Sequence, residues 1–303
     1  MGLARRQSLR ATCYFFFFHL LLTFPIGRCA AADQDLLKLS ENDIDVGVIA
    51  LTLAKEIYPD IDVDSYSTKI DALAEQVRRL ARGTDDPDLR VRCLNTVLYR
   101  NEQFHASREL SVQRKPENYF LNRVLDTKQG NCFSMPLLYV AVAQRLGWPV
   151  YLVHVPDHTF VRYADPAFKQ QNIEATSGGG YVPDEKYAVD FLVSAKGRKS
   201  GAYLRTLSHR ELLGDVVAIN AITFGHRGEL PKAIAYLKLA TRLNPRLVDA
   251  WANLANANKM MAKRSNGPEA EKYRESAAQC AKRLEDLGFV HPIDVPQFLA
   301  TKN

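Results

Sequence analysis

Cysteine is scarce in this 303-residue chain, with five residues at positions 13, 29, 93, 132 and 280. Two of these fall in the N-terminal leader described below. The remaining three are odd in number and far apart, which excludes the disulfide framework of a small secreted scaffold. The spacing of Cys and His is read as giving no zinc site. The chain also lacks a basic patch interleaved with aromatic residues, so nucleic-acid binding is not expected. Strong net charge is missing too. The formal charge is +6, but residues 1–32 hold Arg5, Arg6, Arg10 and Arg28 and no acid, leaving 6 − 4 = +2 for the rest.

Long apolar runs are missing except at the N-terminus. There Arg5, Arg6 and Arg10 precede Cys13–Leu22, a run of aromatic and aliphatic residues that continues to Ile26, followed by the small residues Ala30-Ala31-Ala32. A charged segment, an apolar segment and a small-residue cleavage region together read as a secretory signal over residues 1–32. The run is short for a membrane span, which needs about 20 residues, so an uncleaved anchor is the alternative. The expected localisation is export, periplasmic or secreted. The whole chain is 47% hydrophobic and 24% charged, ordinary globular composition with ample material for a core.

Residues 33–129 are read as an N-terminal helical region. Val46–Tyr58 is helical and stops at Pro59. Ser65–Arg82 places Ile70, Leu73, Val77 and Leu80 at helical spacing, with Gly83 as a stop. Pro87–Tyr99 has Pro at its start and an apolar stripe of Leu89, Cys93, Leu94, Val97 and Leu98, which makes Cys93 a core residue. Asp60-Ile-Asp62-Val-Asp64 with Asp71 imitates a calcium loop, but Ser65 stands where glycine is required and Asp71 is shorter than the bidentate Glu. Helix capping explains these aspartates more simply. Residues 116–125 return to helix.

The chemistry concentrates in residues 130–205. Gly130-Asn131 is a turn and capping signal before Cys132, and Leu137–Leu146 is an apolar helix ending at Gly147. A cysteine at a helix N-terminus meets a positive dipole and free N–H groups, which favour the thiolate. Pro136 is tolerated only in a first turn, so the helix starts a residue or two after Cys132. Val150–Val155 and His158–Tyr163 are rich in β-formers and are split by Pro156-Asp157, which reads as a hairpin with His158 opening the second strand. Glu174 follows a loop and precedes Ser177-Gly-Gly-Gly180. A carboxylate on one ring nitrogen fixes the tautomer of a histidine and steadies the imidazolium. Glu174 is the candidate, with Asp165 as the alternative, although Asp-Pro is more often a turn. His154 is read as structural. Tyr187–Val193 is read as a strand, and Lys196–Gly201 as a solvated loop.

Gly-Asn-Cys-Phe-Ser at 130–134, with Leu-Leu-Tyr-Val-Ala-Val-Ala-Gln-Arg-Leu-Gly-Trp-Pro-Val at 137–150, resembles the core of the transglutaminase-like (papain-like cysteine) superfamily, and within it the bacterial SirB-like branch. Ile57–Asp62 and Asn118–Leu125 resemble that branch as well, and the likeness runs over roughly residues 40–290. The resemblance implies an α+β, papain-like core, in which a helix carrying Cys packs on a small antiparallel sheet carrying His and then an acid. It maps the nucleophile to Cys132, the histidine to His158 and the acid to Glu174, one methylene longer than the usual Asp. Many members of the branch lack the cysteine, so its presence favours activity. In papain-like sites the upstream segment often lies beside the nucleophile, which makes Asn118 or Tyr119 a candidate to help bind an oxyanion, as are the helix N–H groups, although nothing in the sequence compels it. No cofactor or metal is expected.

Residues 206–290 carry a repeat signal. Phe224, Gly228, Ala233, Leu237, Ala240 and Asn244-Pro245 fall at tetratricopeptide spacing, and Trp251, Leu254 and Ala255 restart the pattern 34 residues on from Val217, Asn220 and Ala221. A short insertion at 263–268 precedes a helix to Leu287 that ends at Gly288, and residues 291–303 form a tail. Two repeats are too few to stand alone, so they are expected to dock on the core or on a partner. Two function classes follow. One is an exported thiol enzyme transferring acyl groups from a peptide or protein substrate to water or to an amine. The other is a non-catalytic interaction protein that binds a partner through these helices.

Overall fold

The computed structural model describes residues 35–107, 109 and 115–289. The leader and the tail lie outside the described residues. Helix α1 (Val46–Ala54) is capped by Asp45, whose carboxylate accepts from the Val48 N–H at 2.9 Å, and it is buried almost throughout. Helix α2 (Val63–Ala81) is amphipathic. It buries Ile70, Leu73, Ala74, Val77 and Ala81, and ends at Arg82 and Gly83, both at positive φ. Leu80, expected in the buried stripe, is 46% exposed because Ala81 takes the inward position of the last turn.

Helix α3 (Pro87–Asn95) starts at Pro87 behind the Asp86 cap and passes into a π-helical turn, Thr96–Asn101. Its buried residues are Pro87, Val91 and Leu94, followed by Val97 and Leu98. Leu89, two residues before Val91 and so on the opposite side of the helix, is exposed rather than buried. Cys93 is half-buried against the core. The aspartates of the imitation calcium loop go elsewhere: Asp62 caps α2 through the Ser65 N–H, and Asp71 pairs with Arg145 at 2.6 Å.

A two-residue strand β1 (His105–Ala106) pairs in parallel with β2 (Gln129–Gly130), bracketing a 3₁₀ turn (Pro116–Tyr119) and helix α4 (Leu121–Thr127). Helix α5 (Ser134–Arg145) follows and is buried along nearly its whole length. Four antiparallel strands then form one sheet in chain order, β3 (Val150–Val155), β4 (His158–Tyr163), β5 (Asn172–Glu174) and β6 (Gly180–Tyr181). The fold is mixed α+β. One sheet face (Val150, Leu152, Val161, Tyr163, Ile173) joins the main core, which α1, α2 and α5 share. The other face (Val153, Val155, Phe160) packs with Tyr187 and Leu204.

Two expectations are corrected in the segment that follows the sheet. The segment read as a strand over Tyr187–Val193 is helix α6 (Asp184–Asp190) and a turn, and the expected loop at Lys196–Gly201 holds helix α7 (Ala195–Ser200). Alternating apolar residues suggested a strand. Yet Pro183 with Asp184 and Glu185 is a helix-start signal, and Tyr187 and Phe191 stand at i, i+4. Arg162 on β4 fastens α6 to the sheet, donating to Asp184 at 2.6 Å and to Asn172 at 2.8 Å.

The chain ends in four long helices, α8 (His209–His226), α9 (Leu230–Leu243), α10 (Val248–Arg264) and α11 (Gly267–Leu287). Ser208 and Glu211 form a capping box on α8, and Gly288 closes α11 at φ +79°. The array is tied to the first helix: Asn220 on α8 donates to the Leu53 carbonyl at 2.7 Å.

Candidate active site

Asn131 builds the turn that carries the thiol. Its side-chain oxygen accepts from the Phe133 and Ser134 N–H groups, both at 3.0 Å. Its own N–H donates to the Ser134 hydroxyl at 3.0 Å, and that hydroxyl donates to the Asn118 carbonyl at 2.6 Å. The first turn of α5 is thereby capped, and the 116–119 turn is held beside it. Gly130 is needed for close packing: a Cβ there would lie 2.8 Å from Ser134 Oγ and 2.9 Å from Met135 Cγ. Cys132 sits two residues before the helix begins, half-buried and free. Pro136 falls in the first turn, where it costs no hydrogen bond.

Strand β4 meets this turn through neighbouring residues. The Thr159 hydroxyl donates to the Cys132 carbonyl. Next to it, the Cys132 side chain acts electrostatically on the His158 imidazole and helps to raise its pKa. The other partner of the ring is Glu174, whose Oε2 lies 2.8 Å from His158 Nε2. With Nε2 so engaged, Nδ1 is the ring nitrogen left for the thiol. The side chains of His158 and Glu174 are each 12% exposed.

Sheet register explains the pairing. Val161 opposes Ile173 and Arg162 opposes Asn172, so the register carried one step on sets Phe160 against Glu174. His158 is then the diagonal neighbour of Glu174 on the same face, a distance that a long side chain can cover. Asp165, the alternative acid, instead caps its own turn by accepting from the Ala167 N–H at 2.8 Å.

Glu174 is saturated with donors. Oε2 accepts from the Tyr187 hydroxyl at 2.7 Å as well as from His158, while Oε1 accepts from the Thr176 N–H at 3.0 Å and from the Thr176 hydroxyl. Burial works to raise its pKa, but the hydrogen bonds and charge of His158 and the donors of Thr176 outweigh burial and hold it below the usual range. For His158, burial works to lower the pKa. The hydrogen bonds to Cys132 and Glu174 overcome that and push it up to about 9. Aromatic rings enclose the imidazole: Phe191 stacks on it at 4.8 Å between centroids, and Tyr187, itself stacked on Phe160 at 3.8 Å, lies 6.2 Å away.

His154 stands apart from this group. It is buried, with Nε2 2.9 Å from Asp215 Oδ1 on α8, in an ion pair poorly aligned as a hydrogen bond. Among the described residues no cluster of three or more His, Cys, Asp or Glu is placed to hold a metal ion, and no helix is long and apolar enough to cross a membrane. Thr159, Thr176, Tyr187 and Phe191 were not legible as site residues from spacing. The one available signal was the Tyr187/Phe191 pair at i, i+4, hidden by the strand-like alternation around it.

The family model described as the transglutaminase-like superfamily matches residues 64–217, which include Cys132, His158 and Glu174. A "UPF0162 protein" of Xylella fastidiosa (strain Temecula1) is 28% identical over 142 residues, covering 46% of this chain and 47% of that protein. Its counterpart from strain 9a5c is 29% identical over 165 residues, covering 49% of this chain and 58% of that protein. The chain thus spans about half the length of these relatives. Among solved structures, the crystal structure of menin, which reveals the binding site for the Mixed Lineage Leukemia (MLL) protein, superposes with a TM-score of 0.54 at 15% identity. That likeness covers 84% of this chain and 61% of menin, and it is one of fold.

Proposed function

The chain belongs to the transglutaminase-like superfamily, and on that premise we propose that it is a thiol-dependent acyl-transfer enzyme acting on a peptide or protein amide. The observation that carries this reading is the His158 imidazole 2.8 Å from the Glu174 carboxylate, on the strand whose next residue, Thr159, donates to the Cys132 carbonyl. With its pKa near 9, His158 is protonated at neutral pH. A protonated imidazole beside a thiol favours the thiolate.

In this reaction Cys132 Sγ bonds to the amide carbonyl carbon. His158 gives its proton to the leaving nitrogen as the C–N bond breaks, leaving a thioester. Neutral His158 then takes a proton from water or from an acceptor amine as that group bonds to the acyl carbon. The C–S bond breaks, and the thiolate–imidazolium pair returns. Glu174 holds the ring tautomer and steadies its positive charge. Water as acceptor makes the protein a peptidase or amidase, and an amine makes it a transglutaminase. The same reading includes SirB-like membership, export by way of residues 1–32, a core at 130–205 behind the helical region 33–129, and tetratricopeptide-like helices over 206–290.

The test is the pH dependence of Cys132 alkylation by iodoacetamide. Fast reaction at pH 6, well below the ordinary thiol pKa of about 8.5, that slows by about tenfold or more in His158→Ala supports the pair. Equal, slow reaction in both proteins removes the nucleophile. The second reading, a non-catalytic binder, would then take its place. It is favoured by the four-helix C-terminal array and by the fold shared with menin, a protein that binds MLL.

A further inference from the structure

Tyr187 lies outside the Cys–His–Glu group but is bound to it at a single oxygen. Its hydroxyl donates to Glu174 Oε2 at 2.7 Å, the same oxygen that faces His158 Nε2 at 2.8 Å. Thr176 takes the other oxygen with its N–H and its hydroxyl. A carboxylate turning about its last bond would exchange Oε1 and Oε2. Here that turn would break donors at both ends.

The tyrosine is itself held by packing and by its helix. Its ring lies nearly parallel to Phe160 at 3.8 Å, and its helix is fixed to the sheet by the Arg162–Asp184 pair at 2.6 Å. Among the described groups facing its hydroxyl, Glu174 is the hydrogen-bonding partner and Asp184 a more distant negative charge. Burial first, then those two carboxylates, raise the tyrosine pKa far above the ordinary value, so it stays a donor at every working pH.

We propose that Tyr187, with Thr176, is a positioning residue that locks the Glu174 carboxylate against rotation, so that Oε2 stays in line with His158 Nε2 and the other ring nitrogen stays aimed at Cys132. This proposal rests on the acyl-transfer reading and adds to it a residue that touches neither thiol nor imidazole through a hydrogen bond. The lock also gives a use to the added length of Glu174. A longer side chain reaches the diagonal neighbour but has one more torsion to restrain. The tyrosine and threonine supply that restraint.

The two roles open to Tyr187 shift the pH profile in opposite directions. If the hydroxyl merely drains charge from Oε2, its removal makes the carboxylate a better partner and the His158 pKa rises or holds. If it positions the carboxylate, its removal lets the pair drift and the His158 pKa falls.

The experiment compares wild type, Tyr187→Phe, Tyr187→Leu and His158→Ala, each as the full mature chain. It measures the pH profile of Cys132 alkylation by iodoacetamide and the ¹H–¹⁵N signals of the His158 ring. Tyr187→Phe keeps the ring stack and removes only the hydroxyl. The expected result is that its limb assigned to His158 moves down by about one pH unit, that of a charge-assisted hydrogen bond, with mixed ring tautomers. Tyr187→Leu, which also loses the stack, should shift at least as far. A Tyr187→Phe profile equal to wild type, or moved upward, overturns the proposal. His158→Ala separates the two levels: if it too leaves the profile unchanged, the acyl-transfer reading itself fails, whereas a change there with none in Tyr187→Phe refutes only the lock.

Discussion

At the scale of single residues, the length of one side chain decides whether His158 has a partner. Glu174 reaches the imidazole across a diagonal of the sheet, and the resemblance at sequence level raised the question of whether Glu can stand for Asp. The register places the histidine two residues beyond the directly opposed Phe160, on the same face, and the glutamate spans that diagonal. Glu174→Asp should therefore behave much like Glu174→Gln: each should lower Cys132 alkylation at pH 6 by about tenfold, since the first loses the hydrogen bond to the charged imidazole and the second loses the charge that strengthens it. An aspartate variant as reactive as wild type would contradict the diagonal argument. The same pair affects stability. The folded His158 pKa, near 9, exceeds the ordinary unfolded value of about 6.5, so the native state binds this proton more tightly. The resulting stabilisation is whole below about pH 6.5 and is lost as pH rises through 9, up to about 3 kcal/mol. Denaturant midpoints measured from pH 6 to 9.5 should fall in wild type and fall much less in His158→Ala.

At the scale of elements, the loop after Glu174 is shaped by two glycines with different duties. Gly178 and Gly179 both have positive φ, +66° and +79°. Nothing lies within 4 Å of a Cβ built on Gly178, but one on Gly179 would come within 2.1 Å of Asn95 Oδ1. Asn95 opens the π-helical turn, donates to the Gly179 carbonyl at 3.0 Å and accepts from Tyr139, while the Gly179 N–H donates to the Glu174 carbonyl at 3.0 Å. Gly178→Ala should cost about 1 kcal/mol of backbone strain. Gly179→Ala should cost about 2–4 kcal/mol, because the clash adds to the strain, and should slow Cys132 alkylation as well. Equal thermal shifts for the two variants would sink this account. These elements also mark the limit of what the sequence discloses. The Cys132 turn, the β3–β4 hairpin and the long helices were legible because capping residues, breakers and apolar periodicity are local. Tyr187 was not, since Tyr-Ala-Val-Asp-Phe-Leu-Val alternates like a strand while its partners on the sheet are set by tertiary contact. Leu80 and Leu89 were assigned to the core for the converse reason: a stripe fixes a helix, but neighbours decide its buried edge.

At the scale of the whole molecule, the question is whether the C-terminal helices are a separate unit or part of the same one. Read from the sequence as two helical repeats, too few to bury their own faces, they are expected to dock. One continuous buried cluster holds Leu51 of α1, Leu138 of α5, Val161 of the sheet, Val217 and Phe224 of α8 and Leu254 of α10. Polar contacts reinforce it, since Asn220 reaches the Leu53 carbonyl, Arg227 reaches the Ile57 carbonyl at 3.2 Å and His154 meets Asp215 across the sheet–α8 boundary. Cutting the chain after residue 205 would expose Leu212, Leu213 and Val217 contacts on both sides, at about 1.5–3 kcal/mol for each large side chain. That loss is comparable to the whole stability of a typical domain. The chain should therefore unfold as one cooperative body. Its two tryptophans test this directly, because Trp148 follows α5 and Trp251 lies in α10, and both pack against the shared cluster. Trp148→Phe leaves a reporter in the helical array, and Trp251→Phe leaves one in the thiol-bearing core. After each substitution's own effect on stability is matched by circular dichroism, the fluorescence and far-ultraviolet transitions of each variant should coincide. A Trp251 signal lost well before the helical signal of the remainder would mean that the array opens on its own, and that the site and the helices are coupled far more loosely than the continuous core requires.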